Sequence, residues 1–299
     1  MGPCQNLLYP LHNLDKPNLQ ERLPRLFLFI INPTTDYAFP FFKFFHNINI
    51  VKLSKLKLYI TVINSIKNYL LLMRADRPIG TFLLLWPTLT ALTIAGNGKI
   101  EIYLLIVFCI GAFLMRSAGC VINDYFDQDI DKKVFRTSTR PLATGKVNNF
   151  EALSLFIFLL SLSALLLVFL NFLSFLVATS LAILVAFYPF AKRIMKIPQI
   201  VLGFVFSGGI PMAFSASINE IPLIAFILML ANFCWILSYD TAYAMTDRDD
   251  DQLLNIGNSA IFFKGNEKLI IWIGSLINFF LVLMIGLNEN INLYFYIFS

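Results

Sequence analysis

Two clusters of aspartates carry the chemistry this sequence can do. The first lies in Asn123-Asp124-Tyr125-Phe126-Asp127-Gln128-Asp129-Ile130-Asp131, where four carboxylates fall within eight residues. If this stretch is helical, Asn123, Asp127 and Asp131 recur at i, i+4 and i+8 and share one face, with Asp124 on the flank. The second stretch holds Asp240, Asp247, Asp249, Asp250 and Asp251, and Asp247 and Asp251 are again four apart. Asp240 stands about two turns earlier, inside an apolar run. Every aspartate after Asp76 belongs to one of these two stretches. Adjacent carboxylates repel one another, so each cluster requires a counter-charge, and a hard divalent cation with oxygen ligands is the natural one. Two Mg2+ ions between the clusters would complete their shells with water and a ligand's phosphate oxygens. The cations Arg116, Lys132, Arg136, Arg140 and Lys192 can take the remaining phosphate charge, the arginines bidentately. Asp240 can orient a substrate or accept a proton; its structural alternative is an ion pair or a cap to a neighbouring helix. The bland reading of the clusters is a pair of solvated acidic loops. Pairing, helical spacing and a shared side of the bundle argue against it.

Composition defines the elements that must position these residues. The 299 residues are 58% hydrophobic and 14% charged, with a mean hydropathy of +0.73. These values exclude an ordinary soluble domain and define an all-α, polytopic transmembrane helix bundle. The net charge of +5 lies in short loops between apolar runs, so it reads as a topology signal rather than a nucleic-acid surface. His12 and His46 are the only histidines, which removes imidazole catalysis from the rest of the chain. Cys4, Cys109, Cys120 and Cys234 stand singly with no metal spacing, and the last three read as packing residues.

Residues 1–55 mix Pro, Asn and aromatics and read as a poorly ordered or interfacial extension; residues 56–299 form the transmembrane domain. Val51–Met73 has a basic amphipathic pattern, which suits either a helix on the membrane surface or one docked on the first span. Seven apolar runs of spanning length follow: Ile79–Ala95, Ile102–Ile122, Leu153–Leu170, Phe172–Phe190, Ile200–Ile218, Leu223–Ala244 and Leu269–Leu287. The fifth is interrupted by Gly208, Gly209 and Pro211. An eighth begins at Ile291. The loops after the even-numbered spans carry eleven Lys and Arg residues, against Lys99 alone in the others. The positive-inside rule therefore puts both aspartate clusters on the cytoplasmic side.

The motifs resemble a known family. Asn123-Asp124-x-x-Asp127-x-x-x-Asp131 and Asp247-x-x-x-Asp251 are similar to the two signatures of the UbiA superfamily of intramembrane aromatic prenyltransferases. Tyr188-Pro189-Phe190-Ala191-Lys192 is similar to its intervening YxxxK element. Arg74-Ala75-Asp76-Arg77-Pro78, Leu85-Trp86-Pro87-Thr88, Met115-Arg116-Ser117-Ala118-Gly119-Cys120, Arg140-Pro141-Leu142 and Tyr239-Asp240-Thr241-Ala242-Tyr243-Ala244-Met245 narrow the resemblance. They point to the branch acting on 4-hydroxybenzoate in ubiquinone biosynthesis. The resemblance covers about residue 65 to the C-terminus. It implies Mg2+-dependent transfer of a polyprenyl chain from polyprenyl diphosphate to the ring carbon ortho to the phenol hydroxyl, in a bacterial inner membrane. It further implies metal ligation by Asn123, Asp124, Asp127, Asp131, Asp247 and Asp251. Diphosphate binding would fall to Arg136, Arg140, Tyr188 and Lys192, with Arg116 and Lys132 alongside. Arg77 would bind the aromatic carboxylate, and Asp240 would orient the phenol or take its proton. The family usually has nine transmembrane helices, and this sequence stops short of that. Three rival readings remain: another aromatic or haem acceptor, a divalent-cation transporter, and an inactive truncated remnant.

Overall fold

The computed structural model describes residues 58–253 and 257–288, except for the side chains of 189, 192, 193 and 250. Among the described residues there is no strand. A helix ending at residue 72 leads in, followed by α1 (Ile79–Ala95), α2 (Ile102–Asp131), α3 (Asn149–Leu166) and α4 (Phe172–Ile194). Then come α5 (Gln199–Ser207), α6 (Gly209–Ile218), α7 (Leu223–Ala244), α8 (Arg248–Leu253), α9 (Ser259–Phe262) and α10 (Glu267–Asn288). Five segments are long and apolar enough to cross a bilayer: Ile102–Asp131, Asn149–Phe169, Gln199–Ile218, Leu223–Ala244 and Glu267–Asn288. Ile79–Ala95 and Phe172–Tyr188 are shorter apolar helices. The expectations for residues 1–55, for most of the lysines of the amphipathic stretch, and for the run beginning at Ile291 lie outside the described residues.

Local chemistry sets the helix boundaries. Asn148 and Glu151 form a reciprocal capping box at the start of α3, each side chain accepting from the other's backbone N–H at 2.8 Å. The fifth span breaks at Gly208 into α5 and α6. Pro211 has no N–H to offer the Ser207 carbonyl, so the ladder is interrupted there. The helical continuation on which the spacing of the first aspartate cluster depends is present at the end of the second span. The span continues as helix past Ile122 to Asp131, which carries the first aspartate cluster out of the apolar zone on a rigid rod.

The bundle is apolar outside and tightly packed with small residues inside. Trp272, Phe279, Phe158 and Leu223 are exposed on its periphery, where lipid tails replace water as the solvent. Ala91, Ala118, Ala152, Ala213, Ala225 and Ala231 are fully buried, as expected where helices approach without a hydrophobic driving force. One core joins α1, α2, α6, α7 and α10 around Leu92, Phe108, Ile210 and Phe214. A second, around Leu72, Leu114, Val121 and Leu159, joins the leading helix to α2 and α3. The loop after α2 contributes Leu142 and Val147 to this second core, so it folds back over the end of α2.

α7 and α10 touch at Gly274, where an added Cβ would lie 2.2 Å from Ser238 Oγ and 2.9 Å from the Cys234 carbonyl. The carbonyl belongs to helix backbone and cannot move aside. Gly274→Val is therefore expected to destabilise the protein by about 1–3 kcal/mol, read as a lower melting temperature in detergent.

Candidate active site

The end of α2 meets the segment after α7 across a small polar cavity of about 240 Å³. Asn123, Asp127 and Asp131 from α2 line it together with Asp247 and Asp251 from the second cluster. Arg136, Thr137, Arg140, Tyr188, Gln199, Asp240, Tyr243 and Asn258 also line it, with apolar residues such as Ile130 and Val134 between them. Two stretches more than a hundred residues apart in sequence thus share one cage. Its donors on the acidic side are oxygens throughout, which suits a hard divalent cation. Among the described residues, no three His, Cys, Asp or Glu side chains stand close enough to hold a metal ion unaided. The donor set fits an ion that uses one or two carboxylates and takes its other ligands from phosphate and water.

Arginines neutralise the carboxylates. Arg140 Nη1 donates to Asp124 Oδ1 at 3.0 Å and to Asp131 at 3.0 and 2.8 Å, joining two aspartates seven residues apart. Arg74 Nη2 donates to both oxygens of Asp124 at 2.9 and 2.8 Å. Arg136 grips Asp247 with Nε at 3.1 Å and Nη2 at 2.6 Å, and its guanidinium lies 5.6 Å from the Tyr243 ring centroid. Burial alone would lower the Arg136 pKa. The Asp247 hydrogen bond and charge outweigh it, with help from Tyr243 and Asp131, and the pKa is raised.

The local backbone explains these placements. Arg136 and Arg140 lie on the folded-back loop after α2, where Thr137 Oγ1 donates to the Asp131 carbonyl at 3.2 Å. Arg74 sits at the end of the leading helix with φ +57°. Its N–H bonds to Leu71 O, and that of Ala75 bonds to Leu70 O, at 3.2 and 3.0 Å. This is a Schellman cap with arginine where glycine is usual. A left-handed non-glycine residue costs of order 1 kcal/mol, and here that strain aims a cation at Asp124. Sequence reasoning gave Arg74 no site role; its partner lies fifty residues away, and spacing carries no signal over that distance.

Beside the cage lies a chamber of about 1500 Å³. Asn123, Arg136, Thr137, Arg140, Tyr188, Asp240 and Tyr243 line both spaces. Along α2 the chamber lining runs from Asp124 back to Val107, a depth of about 25 Å at 1.5 Å per residue. Its deep walls include Leu84, Phe108, Leu166, Leu170 and Phe175. Arg116 projects into this apolar space. Its guanidinium lies 5.7 Å from the Phe206 ring centroid and packs against the Gly80 backbone, and its buried Nε has no hydrogen-bond partner.

Four expected site residues are placed differently. Arg116, expected beside the diphosphate, lines the chamber and not the cage. Asp124 lies about one residue's rotation round α2 from Asn123, so it faces Arg74, Arg140 and the chamber rather than the acidic cage. Lys132 pairs with Asp129 at 3.1 Å on the exposed side of α2 and lines neither cavity. Residues at i and i+3 from Asp129 point away from the face shared by Asp127 and Asp131. Arg77 sits on the chamber rim, paired with Asp76 at 3.5 Å, with its side chain 78% exposed. The Lys192 side chain lies outside the described residues.

These features define a polytopic helical membrane protein with an acidic, arginine-braced cage at the mouth of an apolar chamber. The profile of the UbiA prenyltransferase family matches residues 84–299, and the chain belongs to that family. It is 46% identical over 228 residues to the 4-hydroxybenzoate octaprenyltransferase of Aeromonas salmonicida (strain A449), covering 76% of this chain and 79% of the relative. It is 47% identical over 229 residues to the enzyme of that name from Pseudoalteromonas translucida (strain TAC 125), covering 77% and 78%. The fold is similar to the apo structure of a UbiA homologue from Aeropyrum pernix K1, with a TM-score of 0.67 at 21% identity over 74% of this chain and 83% of that one. It is also similar to a UbiA homologue from Archaeoglobus fulgidus bound to GPP and Mg2+, with a TM-score of 0.60 at 20% identity over 74% and 78%. The chain is an integral membrane protein.

Arg140 is the only described cation that contacts both Asp124 and Asp131. Arg140→Met should leave Asp131 without its counter-charge and destabilise the protein by about 3–5 kcal/mol, measured by thermal melting in detergent. Arg140→Lys should recover only part of this, because the shorter side chain places its charge differently and the ammonium is more strongly hydrated and costlier to bury.

Proposed function

We propose that this chain is a Mg2+-dependent 4-hydroxybenzoate polyprenyltransferase, transferring the chain of a polyprenyl diphosphate to the ring carbon ortho to the hydroxyl. The product would be 3-polyprenyl-4-hydroxybenzoate, in ubiquinone biosynthesis. The observation that carries the reading is the continuity of the acidic cage with the apolar chamber through shared wall residues. A diphosphate with a long isoprenoid tail needs both environments in one site. Relatives at 46–48% identity bearing the name 4-hydroxybenzoate octaprenyltransferase support the same substrates.

Asn123, Asp127, Asp131, Asp247 and Asp251 would hold Mg2+, with Asp124 bracing the arginines behind them. Metal bound there would neutralise the diphosphate as the allylic C–O bond breaks. Arg136, Arg140, Tyr188 and Lys192 would bind the phosphate oxygens, the arginines exchanging carboxylate partners for phosphate ones. The chamber would hold the tail and keep water from the allylic carbon. The ring carbon bonds to that allylic carbon and the ring then loses its proton, with Asp240 placed at the junction of the two cavities to orient the phenol or receive the proton. Arg116, rather than the exposed Arg77, would bind the benzoate carboxylate, since its guanidinium lines the apolar chamber, where little water competes. The bacterial relatives support an inner membrane setting, and the eleven basic loop residues support a cage facing the cytoplasm.

Membranes containing the chain should transfer labelled polyprenyl groups to 4-hydroxybenzoate with Mg2+ and not with EDTA; absence of product with Mg2+ would reject the reading. Asp127→Ala and Asp247→Ala should each abolish transfer. Arg116→Leu should raise KM for 4-hydroxybenzoate about tenfold or more, the loss expected for a charged hydrogen bond. KM for the diphosphate should stay unchanged, and Arg77→Ala should behave like the wild type.

A further inference from the structure

The second acidic motif leads into a short, buried segment that no step above uses. Asn258 is 2% exposed. Its Nδ2 donates to Asp251 Oδ2 at 2.6 Å and to the Ala244 carbonyl at 3.2 Å. Its Oδ1 accepts from the Ala260 N–H at 2.7 Å, capping α9. The amide is thereby fixed at both ends before it reaches Asp251. The next residue extends the frame: the Ser259 N–H donates to Gln199 Oε1 on α5 at 3.2 Å, and its hydroxyl lies 3.0 Å from Thr241 Oγ1 on α7. Gln199, Thr241 and Ser259 are all buried.

We propose that Asn258 is a positioning residue for Asp251, fixing one carboxylate oxygen so that the group keeps its orientation towards the cage. The inference rests on the proposed function, in which Asp251 is a metal ligand. A six-residue helix such as α8 is too short to hold a side chain rigidly by itself. Asn258 supplies the rigidity by referring Asp251 to the carbonyl that ends α7, the helix that also carries Asp240. Partners that orient a metal ligand in this way are typically worth about 10–100-fold in metal affinity.

Asn258→Asp tests this directly. It retains an oxygen for the Ala260 N–H but turns the donor facing Asp251 into a repelling carboxylate. With the full-length protein in detergent, the readouts are the unliganded melting temperature, its rise with Mg2+ plus inorganic pyrophosphate, and the Mg2+ concentration giving half-maximal transfer. Asn258→Asp should lose most of the ligand-induced rise and need about 10–100-fold more Mg2+. Thr241→Val breaks the same buried frame away from Asp251. It should lower the unliganded melting temperature and keep the ligand-induced rise. A wild-type-like rise and Mg2+ requirement in Asn258→Asp would overturn the proposal. If that variant fails to fold, Asn258→Ser supplies the same measurement, because its shorter side chain retains a cap oxygen and cannot reach Asp251; a full rise there overturns it equally. A wild type with no rise would overturn the metal assignment itself, and this inference with it.

Discussion

Carboxylates gathered at the mouth of an apolar bundle have to be neutralised before they can be useful, and this requirement organises the structure. An uncompensated buried charge costs several kcal/mol. Asp124 has a side chain only 2% exposed and is held by two arginines from different segments. Arg74 comes from the turn after the leading helix, Arg140 from the loop after α2, and Arg136 from the same loop reaches across to Asp247. The ion pairs therefore do two things at once: they cancel charge, and they fasten the leading turn and the following loop to the end of α2 and that loop to the segment after α7. A phosphate group entering the cage offers the arginines an alternative anion of similar geometry. That exchange would release carboxylate oxygens where a cation accompanying the phosphate needs them.

Hydropathy made the scaffold legible. The runs Ile79–Ala95 and Leu223–Ala244 coincide with α1 and α7, because a helix in lipid must satisfy its own backbone and its apolar length is its physical length. Helical spacing also brought Asp127 and Asp131 to one face, and span order with loop charge predicted that both clusters would emerge at the same end of the bundle. Periodicity could not reveal what depends on folded loops. Lys132 was expected beside the phosphate on proximity in sequence, yet its direction follows the turn of α2 and takes it to the surface. Arg74 and Asn258 reach their aspartates only because a left-handed cap and a capped four-residue helix aim them. No spacing rule encodes either arrangement.

The two cavities divide the work by dielectric environment. The cage is lined by charges and hydrogen-bonding groups and lies at the bundle's polar end, where a highly charged diphosphate can arrive with its counter-ions. The chamber is lined mainly by aliphatic and aromatic side chains, and an electrophilic carbon there is shielded from water. The shared wall, with Asn123, Arg136, Arg140, Tyr188, Asp240 and Tyr243, lies where one molecule can touch both media, and the proposed reaction would exchange its bonds there.

The same division bears on how a small aromatic acid would be recognised. Arg77 is paired with Asp76, and its side chain is 78% exposed; a charge pair in water is worth little and is easily screened. Arg116 offers a guanidinium stacked near Phe206, with a buried N–H that has no acceptor. Arg116 lines the chamber, where a carboxylate could pair with its guanidinium. The interaction is also stronger in the low-dielectric chamber than on the rim. A largely apolar cavity with a guanidinium in its wall suits a ligand that is apolar except at an acidic end, and a hydroxybenzoate held by its carboxylate would present its phenol end away from Arg116.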